Sequence, residues 1–123
     1  MHMQVKIDTK EKYHLFCVLD TSVTAIMTEE LQLRLLTYLQ NPVKNIVLKC
    51  KDIISIDDAA AETLIYLQQK FYEHQASFVV CALQPKVEEE LDKTGLLELM
   101  NVVPTESEAG DIVLMEEIER ELM

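Results

Sequence analysis

The sequence predicts an α/β domain: a mixed, mostly parallel β-sheet covered by about four α-helices. Three observations carry this. Short, β-branched apolar runs recur at Ile46-Val47-Leu48 and Phe78-Val79-Val80-Cys81-Ala82, as strands buried on both faces require. Between and after them lie longer stretches with apolar residues at helical spacing. The chain also begins with two strand-like segments around a polar turn. Strands that alternate with helices pair in parallel through crossovers, whereas the opening hairpin adds an antiparallel pair.

The elements follow in order. Val5 to Asp8 and His14 to Leu19 read as strands around a turn at Lys10 to Lys12, and Asp20 to Ile26 as a loop. Thr28 is placed to cap a helix, with Glu29 and Glu30 in the first turn, where carboxylates suit the helix dipole. Leu31, Leu35, Tyr38 and Leu39 form its inner stripe, and Asn41-Pro42 stops it. Ile46 to Leu48 is a buried strand. A second helix spans about Ala59 to His74, with Leu64, Leu67 and Phe71 inward, flanked by Ala60, Ile65 and Tyr72. After the strand at Phe78 to Ala82, Pro85 suits the first turn of a third helix, with Val87 and Leu91 inward and Gly95 as its left-handed cap. Asn101 to Val103 is a last short strand. Thr105 and Glu108 are spaced as a capping box that opens a C-terminal helix.

Two glycines and three prolines leave no room for a linker, so residues 1–123 read as one domain. The net charge of -11 repels phosphate backbones and argues against a nucleic-acid partner. No stretch reaches the roughly 18 apolar residues of a membrane helix. The start MHMQVKIDTK has no apolar signal region, which leads us to expect a cytoplasmic protein without membrane insertion. Cys17, Cys50 and Cys81 are isolated, odd in number and set in or beside apolar runs, as reduced core thiols are. His2, His14 and His74 have no second ligand at a useful spacing, and no metal or other cofactor is expected. The acidity is uneven. Residues 1–84 hold 10 acids and 8 bases, residues 85–123 hold 12 acids and 3 bases, net -9. A solvated helix face explains this, as does an acidic docking surface for a basic partner.

The one unusual constellation is Ile56-Asp57-Asp58-Ala59-Ala60-Ala61, which opens the second helix. Asp57 or Asp58 is suited to be its N-cap, and the same place stabilises a phosphate group. Nothing points to an enzyme. Gly95 and Gly110 build no phosphate loop, and no nucleophile stands in a motif with a base. A receiver domain with a phosphorylated aspartate has similar length and alternation. It wants an acidic pair after the first strand and a lysine after the last, whereas Asp8-Thr9-Lys10 and Pro104-Thr105 stand there.

Taken in order, several segments resemble a STAS domain of the bacterial anti-sigma factor antagonist type. They are Asn45-Ile46-Val47-Leu48 with Asp52, Ile56-Asp57, Phe78 to Cys81 with Pro85-Lys86-Val87, Leu91 with Thr94-Gly95-Leu96, and Thr105 to Ala109. The resemblance implies a STAS-like fold and a partner switch: the domain binds an anti-sigma factor, often a serine kinase, until a serine at the start of the second helix is phosphorylated. Here that position is Asp58, followed by Ala59 and Ala60 where the family tends to have Ser or Ala and then Gly. No hydroxyl remains for a kinase. The nearest, Ser55 and Thr63, lie off the motif, and Asp20-Thr21-Ser22 lacks the family's usual glycine.

The expected partner surface is Asp57, Asp58, Ala59 and Ala60, with Glu62 and Thr63 on the next turn, acting in recognition and not in catalysis. An anti-sigma factor or serine kinase-like protein is the expected partner. The alternative is a STAS regulatory or structural subunit of a transporter, lipid-transport or signalling-scaffold complex. Oligomeric state is left open.

Overall fold

The computed structural model describes residues 2–123. Five strands form the main sheet: β1 (Val5–Thr9), β2 (His14–Val18), β4 (Ile46–Lys49), β6 (Phe78–Cys81) and β7 (Val102–Val103), in the order β1-β2-β4-β6-β7. β1 runs antiparallel to β2, and the other three pairs are parallel. A separate two-strand patch joins β3 (Ser22–Val23) to β5 (Ser55–Ile56). The helices are α1 (Thr28–Leu36), α2 (Asp58–Glu73), α3 (Pro85–Lys93) and α4 (Glu106–Glu121). The expected mixed sheet with four helices is therefore the observed fold.

The central strands are buried on both faces, as their continuous apolar runs require. On one face Phe16, Ile46, Leu48, Phe78 and Val80 meet Leu31 and Leu35 of α1, Leu64, Leu67 and Phe71 of α2, and Val87 and Leu91 of α3. On the other, Val47, Val79 and Cys81 meet Ala109 and Val113 of α4, with Tyr13, Leu15, Ala82, Val103 and Ile112 packed around them. Asn45 stitches the lower end of the sheet. Its Oδ1 accepts from the Ser77 N–H (2.7 Å) and its Nδ2 donates to the Lys12 carbonyl (2.9 Å). Buried His14 donates from Nε2 to the Val43 carbonyl (2.8 Å), with the Thr9 hydroxyl 3.0 Å from Nδ1.

Local details depart from expectation. The segment Asp20 to Ile26 is not plain loop: it contains β3 and enters a 3-10 turn, Ala25–Met27. That turn leads straight into α1, so Thr28 is the first helical residue and not the cap; its hydroxyl donates back to the Ala25 carbonyl (2.7 Å). α1 tightens into a 3-10 turn at Thr37–Gln40 before Pro42. β6 ends at Cys81, because Ala82 takes φ 63° and cannot continue a strand. The Thr105 hydroxyl accepts from the Glu108 N–H (3.1 Å), which opens α4 as expected.

Candidate functional site

The pairing of β3 with β5 brings two loops together at the carboxyl end of the sheet, Ser22 opposite Ser55 and Val23 opposite Ile56. Beyond Ile56 the chain turns into α2. Asp57 has extended backbone (φ -77°, ψ 167°), the geometry of an N-cap. Its Oδ1 accepts from the Ala60 N–H at 2.8 Å, and its Oδ2 accepts from the Ala25 N–H at 2.8 Å. Its own N–H donates to the Val23 carbonyl (3.1 Å). One carboxylate thus caps α2 and holds the turn before α1. The two candidate caps have different roles: Asp57 takes the cap, and Asp58 is the first helical residue.

Asp58 is exposed, and among the described residues its carboxylate has no hydrogen-bond or ion-pair partner. Glu62, four residues on, shares that side of the helix and is exposed, and Ala59 is exposed about a quarter-turn round from it. Thr63 is half-buried and its hydroxyl donates to the Ala59 carbonyl (3.0 Å), so it is turned onto its own helix. Ala60 does not belong to this surface. It is wholly buried, as is Ala61, because Ala60 starts the inward stripe of Leu64, Leu67 and Phe71.

Two residues outside the sequence-based set flank the turn. Ile26, next to the Asp57-bound Ala25, is 82% exposed, and Ile54, before β5, is 57% exposed. Neither carries a sequence signal, because each reads as an ordinary apolar residue in a loop. The Ser55 hydroxyl donates to the Ser22 hydroxyl (3.0 Å) across the small sheet. The surface is therefore an unpaired carboxylate with Glu62 near it and exposed isoleucines at the adjoining turns.

The thiols lie elsewhere. Cys17, Cys50 and Cys81 are free and buried. Burial pushes the Cys50 thiol far above its ordinary value, and burial with the nearby Glu106 carboxylate pushes Cys81 up to about 11. Neither is a nucleophile near neutral pH. Among the described residues no group of three His, Cys, Asp or Glu side chains is placed to hold a metal ion, and no helix is long and apolar enough to cross a membrane.

A family model described as the STAS domain matches residues 6–109. No curated protein matches the sequence. Among solved structures, the chain is similar to an anti-sigma factor antagonist from Mycobacterium paratuberculosis, at 14% identity over 91% of this chain and 94% of that one, TM-score 0.75. It is similar to the Bacillus cell fate determinant SpoIIAA in its phosphorylated form, at 15% identity over 89% of this chain and 99% of that one, TM-score 0.64. The murine anion transporter Slc26a9 is also similar, at 10% identity over 85% of this chain and 18% of the transporter, TM-score 0.68. At such identities the likeness is one of fold.

Proposed function

The chain belongs to the STAS domain family, and from that premise we propose that it is a non-enzymatic regulatory domain of the cytoplasm. It binds an anti-sigma factor of the serine-kinase-like type through the opening turn of α2. The observation that carries this reading is the exposed, unpartnered Asp58 carboxylate with Ala59 and Glu62, flanked by exposed Ile26 and Ile54. Exposed apolar side chains can supply the buried centre of a recognition surface, with charged groups at its polar rim.

Asp57 is exposed at the same turn and shapes the surface, whereas half-buried Thr63 supports it from its own helix. Asp57 uses both oxygens on the chain's own N–H groups and fixes the turn that bears Ile26. Asp58 stands where the resemblance puts the phosphorylated serine. It carries a charge of about -1, against about -1.5 to -2 and three acceptor oxygens for phosphoserine, so it copies that state only in part. Ala59 and Ala60 favour helix where glycine would cost about 0.8–1.0 kcal/mol per interior position. A stiff turn without a hydroxyl suits binding that no kinase switches at this position.

The test is a pull-down with the wild type and Asp58→Ser as baits, read by mass spectrometry and then by kinase labelling. A serine-kinase-like anti-sigma factor captured by both baits, with phosphate entering only the serine bait, is the expected outcome. Capture by the serine bait alone would reverse the constitutive reading, because Asp58 would then hold the native domain in an off-like state. The likeness to the Slc26a9 module favours a second reading, a STAS subunit of a transporter, lipid-transport or scaffold complex. Co-purification of a membrane complex and of no anti-sigma factor would select it.

A further inference from the structure

The last turns of α4 reverse the usual plan of a surface helix, in which apolar side chains face the body and charged ones face water. Leu114 (45% exposed), Met115 (55%), Ile118 (56%) and Leu122 (83%) look outward. Glu117 and Arg120 are turned inward and half-buried. Beyond Val113 no α4 side chain is buried in the core. The rotation is fixed by polar contacts. Both Arg120 amino nitrogens donate to the Ser77 hydroxyl (3.3 and 3.2 Å), and one lies 3.5 Å from Asn45 Oδ1. Among the described residues Glu117 Oε1 is buried with no partner, an arrangement that costs stability. Folding alone therefore gives no reason for apolar side chains on the outer face.

The charge around the stripe selects its occupant. Helical spacing puts Glu108 and Glu119 along one side of it and Glu121 along the other, with Asp111 at its start, all exposed. Outward-facing α4 positions hold no basic residue, since Arg120 is engaged with Ser77. A second copy would bring the same acids against one another, in a segment, residues 85–123, of net charge -9. We propose that this face docks an amphipathic helix of a partner protein with apolar residues at helical spacing and Lys or Arg along both sides. The stripe supplies the buried contact, and the acids set register and rate of encounter. The surface is distinct from the α2 turn, because α4 packs on the opposite face of the sheet.

The test uses synthetic amphipathic helices of about five turns that share one apolar stripe and carry Lys/Arg, Gln or Glu flanks. Each is titrated into isotope-labelled full-length protein and followed by NMR. The basic peptide should shift the amides of Leu114, Met115, Ile118 and Leu122, bind at least roughly tenfold more tightly than the Gln peptide, and weaken at about 0.5 M salt. The Glu peptide should not bind. Ile118→Asp should abolish basic-peptide binding while leaving the α2 amides in place and the protein folded, because Ile118 lies outside both core clusters, and Glu119→Lys should weaken it. Equal affinity for the Gln and basic peptides would overturn the proposal. So would shifts confined to other faces, no binding by the basic peptide up to about 1 mM, or a dimer in sedimentation that Ile118→Asp dissolves.

Discussion

Asp57 joins two segments 32 residues apart through one carboxylate, one oxygen on Ala60 and the other on Ala25. Removing an N-cap costs about 0.5–2 kcal/mol, and a hydrogen bond to a charged group adds to that. Asp57→Ala should therefore lower the unfolding free energy by about 1–3 kcal/mol in urea titration. Asp57→Asn keeps one acceptor and should lose about half as much. Asp58→Ala, with no internal partner to lose, should stay within about 0.5 kcal/mol. Equal losses at positions 57 and 58 would show that the Ala25 and Ala60 bonds contribute nothing. The sequence shows a capping aspartate at Asp57 or Asp58, because acceptor side chains before a helical stripe have a clear meaning. It does not show which one caps, or the bond to Ala25. Both depend on β3 pairing with β5, and two-residue strands are too short to display a periodicity.

At the scale of elements, α2 and α3 end in the same way with different residues. After α3, Gly95 takes φ 76°, its N–H donates to the Asp92 carbonyl (3.0 Å), and the Leu96 N–H donates to Leu91 (3.0 Å). After α2, Gln75 takes φ 62°, with Gln75 N–H on the Tyr72 carbonyl (3.1 Å) and Ala76 N–H on Phe71 (2.9 Å). A side chain in that left-handed conformation is strained, whereas glycine is not. Gln75→Gly should stabilise the protein by about 0.5–1 kcal/mol, seen as a higher urea midpoint at unchanged slope. No gain would mean that Gln75 has contacts that offset its backbone. Gly95 announces its turn in the sequence, and Gln75 hides one. Helix existence was legible from apolar spacing for α1, α2 and α3, and from the Thr105 and Glu108 spacing for α4. The starts were less so: Thr28 resembles a cap, but the preceding 3-10 turn makes it helical. α4 misleads most, since Thr105 caps it as expected, without the return bond from Glu108 that a full capping box has among the described residues, while half of its apolar residues face water.

For the molecule as a whole, the mostly parallel pairing was legible because continuous apolar strands between helices permit few other sheets, whereas the strand order β1-β2-β4-β6-β7 was not read from the sequence. Which face each helix covers was not, because that depends on packing across three crossovers. The buried thiols tie this packing to pH. Cys81 ionises near its ordinary 9.0 when unfolded and at about 11 when folded, and Cys50 is displaced in the same direction. An acid whose folded value is raised gives stability that is complete below the unfolded value and fades as pH climbs through the folded one. Stability should thus hold up to about pH 9 and decline between about 9 and 11, with Cys81→Ala showing a shallower decline in urea midpoint. A slope unaltered by that substitution would assign the loss to other groups. The division of helices between the faces also has a consequence for synthesis. α1, α2 and α3 share one face, and α4, the last element of the chain, is the helix that covers Val47, Val79 and Cys81. A ribosome adds about 5–20 residues each second, so those three side chains precede Val113 by a few seconds. Through that interval no helix covers the apolar underside of the sheet, the kind of exposed surface that makes an incomplete fold prone to aggregate.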